Sequence, residues 1–355
     1  MGIKRGVSLY SYQQSEWFGR MTWRDQLEEV AMNLGGATGI EIISEATIPQ
    51  YPFPSEQFIF DWNNEIARWN LKAVTMDCYL DVMQFRTHVM NHKEAAQRLM
   101  YDLRLAKKMG FENIRLVHSV PLEAIEMALP LAEELNVRMT NEIHSPYPIT
   151  ANLNLPDVDH AFMGADWKYR HSQDIAFIER TGTKHYGLQP DMGIFQYRAP
   201  RPMLGYLLRS YVSAEEAGRI VDEYYRVFDE AGESAANKYM EDSCPAIMES
   251  KFGFMLFSGM SARPEELYKI APYIYCIHGK FYKMTEIPGK PGQYEESSIR
   301  YPEAIKVLKS IGYDGYIDSE YEGQRSQQDM GDAGLADEVE EVRRHHEMLK
   351  RLIGE

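Results

Sequence analysis

Residues 140–146 read TNEIHSP and place a carboxylate and an imidazole two positions apart. Side chains of an extended strand alternate between its faces, so Glu142 and His144 are expected to point the same way where Ser145-Pro146 ends the strand. Such a pair can be a metal ligand beside a proton-transfer group, or an ordinary buried hydrogen-bonded pair. The other polar residues of the chain are needed to distinguish these two alternatives.

Further side chains that could bind a metal ion or transfer protons follow short apolar runs later in the chain. Asp191 follows YGLQP, His278 ends YIYCIH and Glu320 ends YIDSE. Carboxylates and an imidazole that converge repel one another unless a cation holds them, which predicts a divalent-ion site formed by Glu142, Asp191, His278 and Glu320. The oxygen-rich donor set favours Mn²⁺, with Mg²⁺, Co²⁺ and Zn²⁺ as alternatives. Taken singly, each residue is more often a helix cap, a salt-bridge partner or a core histidine.

These residues need elements that bring them together. Short apolar runs alternate with helical patterns along the whole chain, at residues 4–11, 39–43, 71–77, 113–118, 137–143, 186–191, 273–278 and 316–320. This alternation predicts an α/β protein, a closed (β/α)8 TIM barrel that forms a single domain over residues 1–355. An open doubly wound sheet is the alternative, but no GxGxxG or GxxxxGK follows a predicted strand. In a barrel, the polar strand ends would meet at one mouth.

Helix signals support the same architecture. Thr22 with Asp25 is a capping-box pattern, and Ser55 is a second predicted N-cap. Residues 194–270 exceed what one helix needs, which predicts an enlarged region between strands six and seven, with a long helix from Ser213 towards Met240.

The last predicted helix carries a pair of adjacent histidines followed by a glutamate. The stretch His345-His346-Glu347 fails as a metalloprotease motif, because Lys350 stands where HExxH requires its second histidine. We therefore predict that this pair lies on a solvated helix face.

Composition limits the partners and the compartment. A net charge of −15 would repel phosphate backbones, so nucleic acid is not an expected partner. The three cysteines, Cys78, Cys244 and Cys276, show no CxxC spacing, which suits a reducing compartment. No signal peptide or membrane-spanning run is recognisable, so the protein is expected to be cytoplasmic.

The motifs at the strand ends resemble those of the sugar-phosphate isomerase/epimerase group, the xylose-isomerase-like TIM barrels. The resemblance covers nearly the whole chain and rests on GIE at 39–41, NEIH at 141–144, QPD at 189–191, IHGK at 277–280 and SEYE at 319–322. Members of that group bind one divalent metal through Glu, Asp, His and Glu, which implies Glu142, Asp191, His278 and Glu320 here. From the residues alone, Asp318 and Glu322 share the face of Glu320, so the choice among these three stays open.

Within that group, the chain is similar to the large (α) subunit of bacterial C-glycoside deglycosidases, through GVSLYSY at 6–12, the proline-rich loop at 48–55 and NEIHSP at 141–146. Those enzymes act with a small β-rich partner subunit on 3-oxo-glucosides of flavonoid-like aglycones. The resemblance implies a hetero-oligomer and a lyase-type reaction, in which an enolate formed at sugar C2 expels the aglycone from C1. His144 is predicted to transfer the protons.

Other functions remain open. A ketose 3-epimerase or sugar isomerase would use Glu142 and Glu320 as proton-exchanging groups, and an inosose-type dehydratase would expel water from the same kind of enolate. A non-catalytic sugar-binding subunit is an alternative from a different class. Five residues near strand ends are predicted either to contact substrate or to make structural hydrogen bonds: Tyr10, Asp77, His118, Gln189 and Lys280.

Overall fold

The computed structural model describes residues 2–116, 120–144, 149, 170–250, 253, 256–257 and 261–355. Within these residues, eight strands form one parallel sheet in the order β6-β5-β4-β3-β2-β1-β10-β7. Their bounds are Lys4–Ser8 (β1), Gly39–Ile43 (β2), Lys72–Cys78 (β3), Asn113–Leu116 (β4), Arg138–Ile143 (β5), Tyr186–Pro190 (β6), Cys276–Phe281 (β7) and Tyr316–Tyr321 (β10). Met284–Glu286 (β8) and Tyr294–Glu296 (β9) form an antiparallel hairpin. The predicted (β/α)8 barrel is confirmed.

The barrel closes between β6 and β7 through isolated contacts. Parallel bridges join Leu188 to Ile274 and Asp191 to His278. The amide of Tyr275 donates to the carbonyl of Leu188 over 3.2 Å. Asp191 and His278 are therefore direct neighbours across this junction, at its carboxyl end.

Helices surround the strands. The α-helices of the described residues are Gln13–Trp17, Trp23–Asn33, Ser44–Thr47, Glu56–Arg68, His92–Lys108, Leu122–Leu135, Arg170–Thr181, Arg201–Leu208, Ala214–Ala231, Glu233–Ser243, Pro245–Glu249, Leu267–Ile270, Tyr301–Ser310 and Glu338–Ile353. Short 3-10 segments are Leu9–Tyr12, Met192–Phe195, Pro264–Glu266, Ala271–Tyr273 and Gly323–Gly334. None of the described helices combines the length and hydrophobicity that crossing a membrane requires.

The predicted helix starts are confirmed. The Thr22 side chain accepts from the Asp25 amide, and Asp25 Oδ2 accepts from the Thr22 amide over 2.7 Å, which completes the capping box. The Ser55 hydroxyl accepts from the Phe58 amide over 3.2 Å. Each cap satisfies amides that the first helical turn leaves without partners.

The strands separate an apolar layer from a polar interior. Ile40 and Ile42 of β2 are fully buried in the hydrophobic core, while Glu41 between them is fully buried among polar side chains. The same alternation places Ile114 in the core and Arg115 of β4 inside the barrel. Alternating side-chain direction therefore puts charged residues in the barrel interior.

The enlarged region between β6 and β7 has its own hydrophobic cluster. Its helices between residues 201 and 249 pack around Leu204, Ile220, Tyr224 and Met240. The predicted long helix is interrupted at Gly232, whose φ of +84° is a conformation that glycine adopts at low cost. The enlargement itself is confirmed.

The two adjacent histidines of the last helix are buried, so the prediction of a solvated face is wrong. His345 and His346 are 0% and 1% exposed, and the Ser319 hydroxyl lies 2.8 Å from Nδ1 of His345 and 2.9 Å from Nε2 of His346. Arg5 Nη1 lies 2.9 Å from Nδ1 of His346. Partners on β1 and β10, distant in sequence, contact three of the four ring nitrogens, while Nε2 of His345 has no hydrogen-bond partner among the described residues.

Candidate metal centre

Four strands bring the predicted metal ligands together. Glu142 lies on β5, Asp191 directly after β6, His278 on β7 and Glu320 on β10. All four are at most 5% exposed. One ligand atom from each of Glu142, Asp191 and His278 falls within 4.8 Å of the others.

His278 stands at the centre of this cluster. Its Nδ1 lies 2.8 Å from Oε1 of Glu142 and 3.3 Å from Oε2 of Glu320. Its Nε2 contacts Oε1 of Glu41 on β2. Burial opposes protonation of the ring, but the carboxylates of Glu320 and Glu41 raise the pKa of His278 well above its usual value.

The three acidic residues at the end of β10 occupy different environments. Glu320 reaches His278, whereas Asp318 lies deeper in the barrel, and a Cβ on Gly6 would collide with its carboxyl group. Neither oxygen of Asp318 has a hydrogen-bond partner among the described residues. Glu322 lies 3.4 Å from Lys280 Nζ and 3.1 Å from an Arg325 nitrogen. Of these three side chains, Glu320 is the one whose carboxylate lies within ion-pair distance of the His278 ring in the described residues.

A buried lysine contacts two of the predicted ligands. Lys280 Nζ lies 2.8 Å from Asp191 Oδ2 and 3.2 Å from Glu320 Oε2. Burial disfavours a charged amine, but the charges of Asp191 and Glu320 raise the pKa of Lys280 well above its usual value. The lysine therefore stays charged and balances these carboxylates.

An arginine on β4 pairs with another of the predicted ligands, Glu142. Arg115 makes two ion pairs with Asp77, at 2.7 and 2.8 Å, and its Nη1 lies 2.5 Å from Oε2 of Glu142. Burial alone would raise the pKa of Glu142, but the guanidinium of Arg115, together with His144 and His278, lowers this pKa well below its usual value. Glu142 is thus ionised, with Oε1 directed at His278 and Oε2 held by Arg115.

Glu41 and Arg115 are part of this cluster, but no role was predicted for them from the sequence. The available signal was a charged residue inside an otherwise apolar strand, GIEII for β2 and NIRL for β4. Such residues are almost never fully buried unless paired, so their position indicates an interior partner.

The donor set fits a divalent cation. The buried carboxylates of Glu41, Asp77, Glu142, Asp191 and Glu320 outnumber the cationic groups of Arg115, Lys280 and a protonated His278. Glu320 Oε2 makes no hydrogen bond among the described residues, and Asp191 Oδ2 has only charge contacts there, with Lys280 and His144. Carboxylate oxygens with one imidazole are ligands suited to Mn²⁺, Mg²⁺, Co²⁺ or Zn²⁺.

His144 lies at the edge of the cluster. Its Nε2 is 3.2 Å from Lys280 Nζ and 3.9 Å from Asp191 Oδ2, and its side chain is 37% exposed. These contacts agree with the prediction that His144 and Glu142 point the same way. The imidazole is accessible from the barrel mouth, whereas Glu142 is not.

The residues predicted as substrate contacts occupy several environments. Burial raises the pKa of Tyr10 to about 12, and the nearby Glu322 adds to this effect. Asp77 is bound by Arg115, and Gln189 donates to Glu41 over 2.9 Å. Lys280 is fully ion-paired, and His118 lies outside the described residues. The contacts of Asp77 and Gln189 are with other protein groups inside the barrel.

The fold is that of sugar phosphate isomerases and epimerases. A sugar phosphate isomerase/epimerase from Parabacteroides distasonis matches with a TM-score of 0.57 at 12% identity, over 99% of this chain and 96% of that one. A D-psicose 3-epimerase solved in the presence of D-fructose matches with a TM-score of 0.55 at 12% identity, over 99% and 100%. The IolI protein, solved with a zinc atom, gives 0.55 at 11% identity, over 99% and 98%. These likenesses define the fold alone.

The relatives found by sequence have more specific names than the structural neighbours. No family model matches the chain. It is 26% identical to the 3'-dehydrocarminate deglycosidase alpha subunit of a Microbacterium species, over 99% of this chain and 95% of that protein. It is 24% identical to a C-glycoside deglycosidase alpha subunit of Arthrobacter globiformis, over 100% and 93%. The predicted resemblance to C-glycoside deglycosidase alpha subunits is confirmed over the full length of the chain.

Proposed function

We propose that this protein is the alpha subunit of a divalent-ion-dependent deglycosidase that cleaves 3-oxo-C-glucosides by elimination. The observation that carries the proposal is the buried cluster of Glu142, Asp191, His278 and Glu320, with the accessible imidazole of His144 beside it. The full-length similarity to deglycosidase alpha subunits supports the same reaction class.

The reaction needs no oxidant or reductant. Glu142, Asp191, His278 and Glu320 would hold a divalent cation, which would supply Lewis-acid polarisation of the C3 ketone when bound. His144 takes the proton from C2, whose acidity comes from the neighbouring ketone. The bond from C1 to the aglycone then breaks, its electron pair leaves with the aglycone carbon, and that carbon takes up a proton. The sugar is left as an anhydro-ketose with a C1–C2 double bond.

The environment of the glutamates favours His144 as the base. In a ketose 3-epimerase, Glu142 and Glu320 would exchange protons with the substrate. Here Glu142 Oε2 is bound to Arg115 at 2.5 Å, and Glu320 Oε2 lies 3.2 Å from Lys280. The pairing with Arg115 makes Glu142 a weak base, whereas burial raises the pKa of Glu320 despite the nearby Lys280, so only one of the two proton-exchanging groups of an epimerase is suited to that role. The 3-epimerase, like the dehydratase, is therefore the second candidate.

A partner subunit completes the proposal, because both named relatives are called alpha subunits. Trp17 is 85% exposed and Phe18 52% exposed, in the segment that follows β1 at the catalytic end. They line an 840 Å³ cleft together with Leu335 and the segment after β10. Exposed aromatic side chains beside a cleft are typical anchors of protein interfaces, so we assign the partner to this rim.

The cofactor and compartment follow from the donor set and the cysteines. Mn²⁺ is the preferred ion, on the grounds of three carboxylate ligands to one imidazole. Cys78, Cys244 and Cys276 are buried free thiols, which agrees with a cytoplasmic location. A flavonoid-like aglycone is the proposed leaving group.

The decisive experiment is purification from the native host, followed by elemental analysis and an assay with a 3-oxo-C-glucoside. We expect a co-purifying small subunit, one equivalent of Mn²⁺ and release of the free aglycone. A metal-loaded homo-oligomer that incorporates solvent deuterium into fructose or tagatose, and leaves the glycoside intact, would instead identify an epimerase. An ion-free protein inactive on all of these sugars would indicate a non-catalytic subunit.

A further inference from the structure

Two overlapping clusters share His278. Glu142, Asp191 and His278 form one, and Glu41, Asp77 and His278 form the other. Each contacts a different ring nitrogen, since Glu142 faces Nδ1 and Glu41 faces Nε2. The roles of the two ring nitrogens of His278 therefore have to be assigned separately.

The oxygens on the Glu41 side are already engaged. Both oxygens of Asp77 are bound by Arg115, at 2.7 and 2.8 Å. Glu41 uses Oε1 for His278 and accepts from Gln189 Nε2 through Oε2 over 2.9 Å. By contrast, Glu320 Oε2 has no hydrogen bond among the described residues. Glu142 is engaged as well, by His278 and Arg115, but on its side Glu320 adds an oxygen with ion-pair contacts alone among the described residues. The side of Glu142 therefore offers an oxygen that an ion can take, and the side of Glu41 supports the ring.

Behind Glu41 a buried chain of hydrogen bonds has a fixed direction. The Asn113 amide donates to the Thr140 hydroxyl over 2.8 Å, and that hydroxyl donates to Gln189 Oε1 over 3.0 Å. The Gln189 amide then donates to Oε2 of Glu41, whose Oε1 contacts Nε2 of His278. These residues are at most 3% exposed, so water does not offer an alternative partner.

Building on the proposed function, the geometry points to Glu41 as a positioning residue that fixes the tautomer and orientation of His278, with Nδ1 as the nitrogen offered to the ion. Gln189, anchored through Thr140 and Asn113, holds Glu41 in turn. A carboxylate that accepts the second N–H of a ligating histidine raises its basicity and fixes its ring. Gln189, predicted as a substrate contact, therefore acts through Glu41 and not on the sugar.

The test compares Mn²⁺ affinity, measured by calorimetry, in the wild type, Glu41→Gln, Gln189→Met and a control. We expect Glu41→Gln to weaken Mn²⁺ binding by about 10- to 100-fold and Gln189→Met to weaken it less, in the range found for such partners of ligating histidines. The control is Glu338→Gln, which alters a buried carboxylate that accepts from the amides of Gln14 and Ser15 and is not part of the His278 cluster. Its affinity should remain that of the wild type.

A second readout separates positioning from general destabilisation. In the Co²⁺-loaded protein, Glu41→Gln should shift the visible absorption bands, because the strength of the histidine ligand changes. Lower thermal stability with unchanged bands and unchanged Mn²⁺ affinity would overturn the assignment while leaving the proposed function intact. A wild type that binds neither ion would overturn both.

Discussion

The ammonium group of Lys280 lies 2.8 Å from Oδ2 of Asp191, and both side chains are excluded from solvent. The same ammonium contacts Glu320 at 3.2 Å. One lysine thus offsets the charge of two proposed metal ligands. An ion bound there would share this task, so the stability of the protein and its affinity for the ion are coupled.

Replacing this lysine should make folding more dependent on metal. Lys280→Met leaves buried carboxylates without their cation, which should lower the unfolding free energy of the ion-free protein by about 3–5 kcal/mol. Added Mn²⁺ should restore more stability to this variant than to the wild type, as measured by urea denaturation with and without the ion. Lys238→Met, at an exposed ion pair, should change the unfolding free energy by less than about 0.5 kcal/mol. Equal gains from Mn²⁺ in variant and wild type would contradict this coupling.

Removing the proposed base should affect turnover and spare ion binding. His144→Ala should lower the turnover of a 3-oxo-C-glucoside by about 10²- to 10⁴-fold, the usual contribution of a positioned acid–base group. Its Mn²⁺ affinity should stay near that of the wild type, because His144 is not one of the four ligands. His88→Ala, at an exposed histidine paired with Glu94, serves as the matched control. Undiminished turnover by the alanine variant would show that His144 has no part in proton transfer.

The buried histidines predict acid sensitivity. Burial lowers the pKa of His345 to about 3, whereas in the unfolded chain a histidine titrates near 6.5. The unfolded state therefore binds more protons below pH 6.5, and the unfolding free energy falls as the pH decreases, by up to about 1.4 kcal/mol per pH unit for this histidine. His346, whose pKa burial also lowers, adds to the effect.

The substitution His345→Phe should make this decline less steep. At pH 7.5 the variant should lose about 1 kcal/mol with the Ser319 hydrogen bond, yet between pH 6.5 and 5 it should lose less stability than the wild type. Urea denaturation across this range measures both quantities. The exposed His92, changed to Asn, provides the comparison, and parallel curves for His345→Phe and wild type would refute the explanation.

The aromatic rim predicts where the partner binds. Trp17→Ala should weaken binding of the co-purified subunit by about 2 kcal/mol or more, roughly 30-fold, as for other central aromatic anchors. The stability of the isolated chain should hardly change, since Trp17 is 85% exposed. Phe60→Ala, at a 61% exposed side chain of the helix Glu56–Arg68, is the control. Binding measured by surface plasmon resonance that is equal in both variants would place the interface elsewhere.

Local sequence signals predicted most of the barrel. The capping box at Thr22 and the alternation of apolar runs with helices depend on neighbouring residues, and the structure confirms both. β7, however, begins at Cys276 and not at residue 273, because the preceding residues form the 3-10 segment Ala271–Tyr273. The proline- and glycine-rich loop after β7 includes the unpredicted hairpin of β8 and β9. First-strand residues 9–11 belong to the 3-10 segment Leu9–Tyr12.

The candidate site was only partly predictable. The four proposed ligands stand at strand ends, where their residue types and spacing can be recognised. The supporting groups cannot be identified in this way, because Glu41 and Arg115 acquire their roles from partners more than 25 residues away. His345 and His346 show the same limit, since Ser319 and Arg5 reach them only after the barrel has closed.

The barrel junction between β6 and β7 has a mechanical consequence. Isolated bridges, including Asp191 with His278, join these strands, whereas the other described neighbours pair over runs of several residues. Hydrogen exchange should therefore be fastest along this seam, because fewer backbone bonds must break for it to open. Asp191 and His278, two of the proposed ligands, lie on opposite sides of this junction. An ion bound to both would therefore link β6 to β7 and hold the barrel closed.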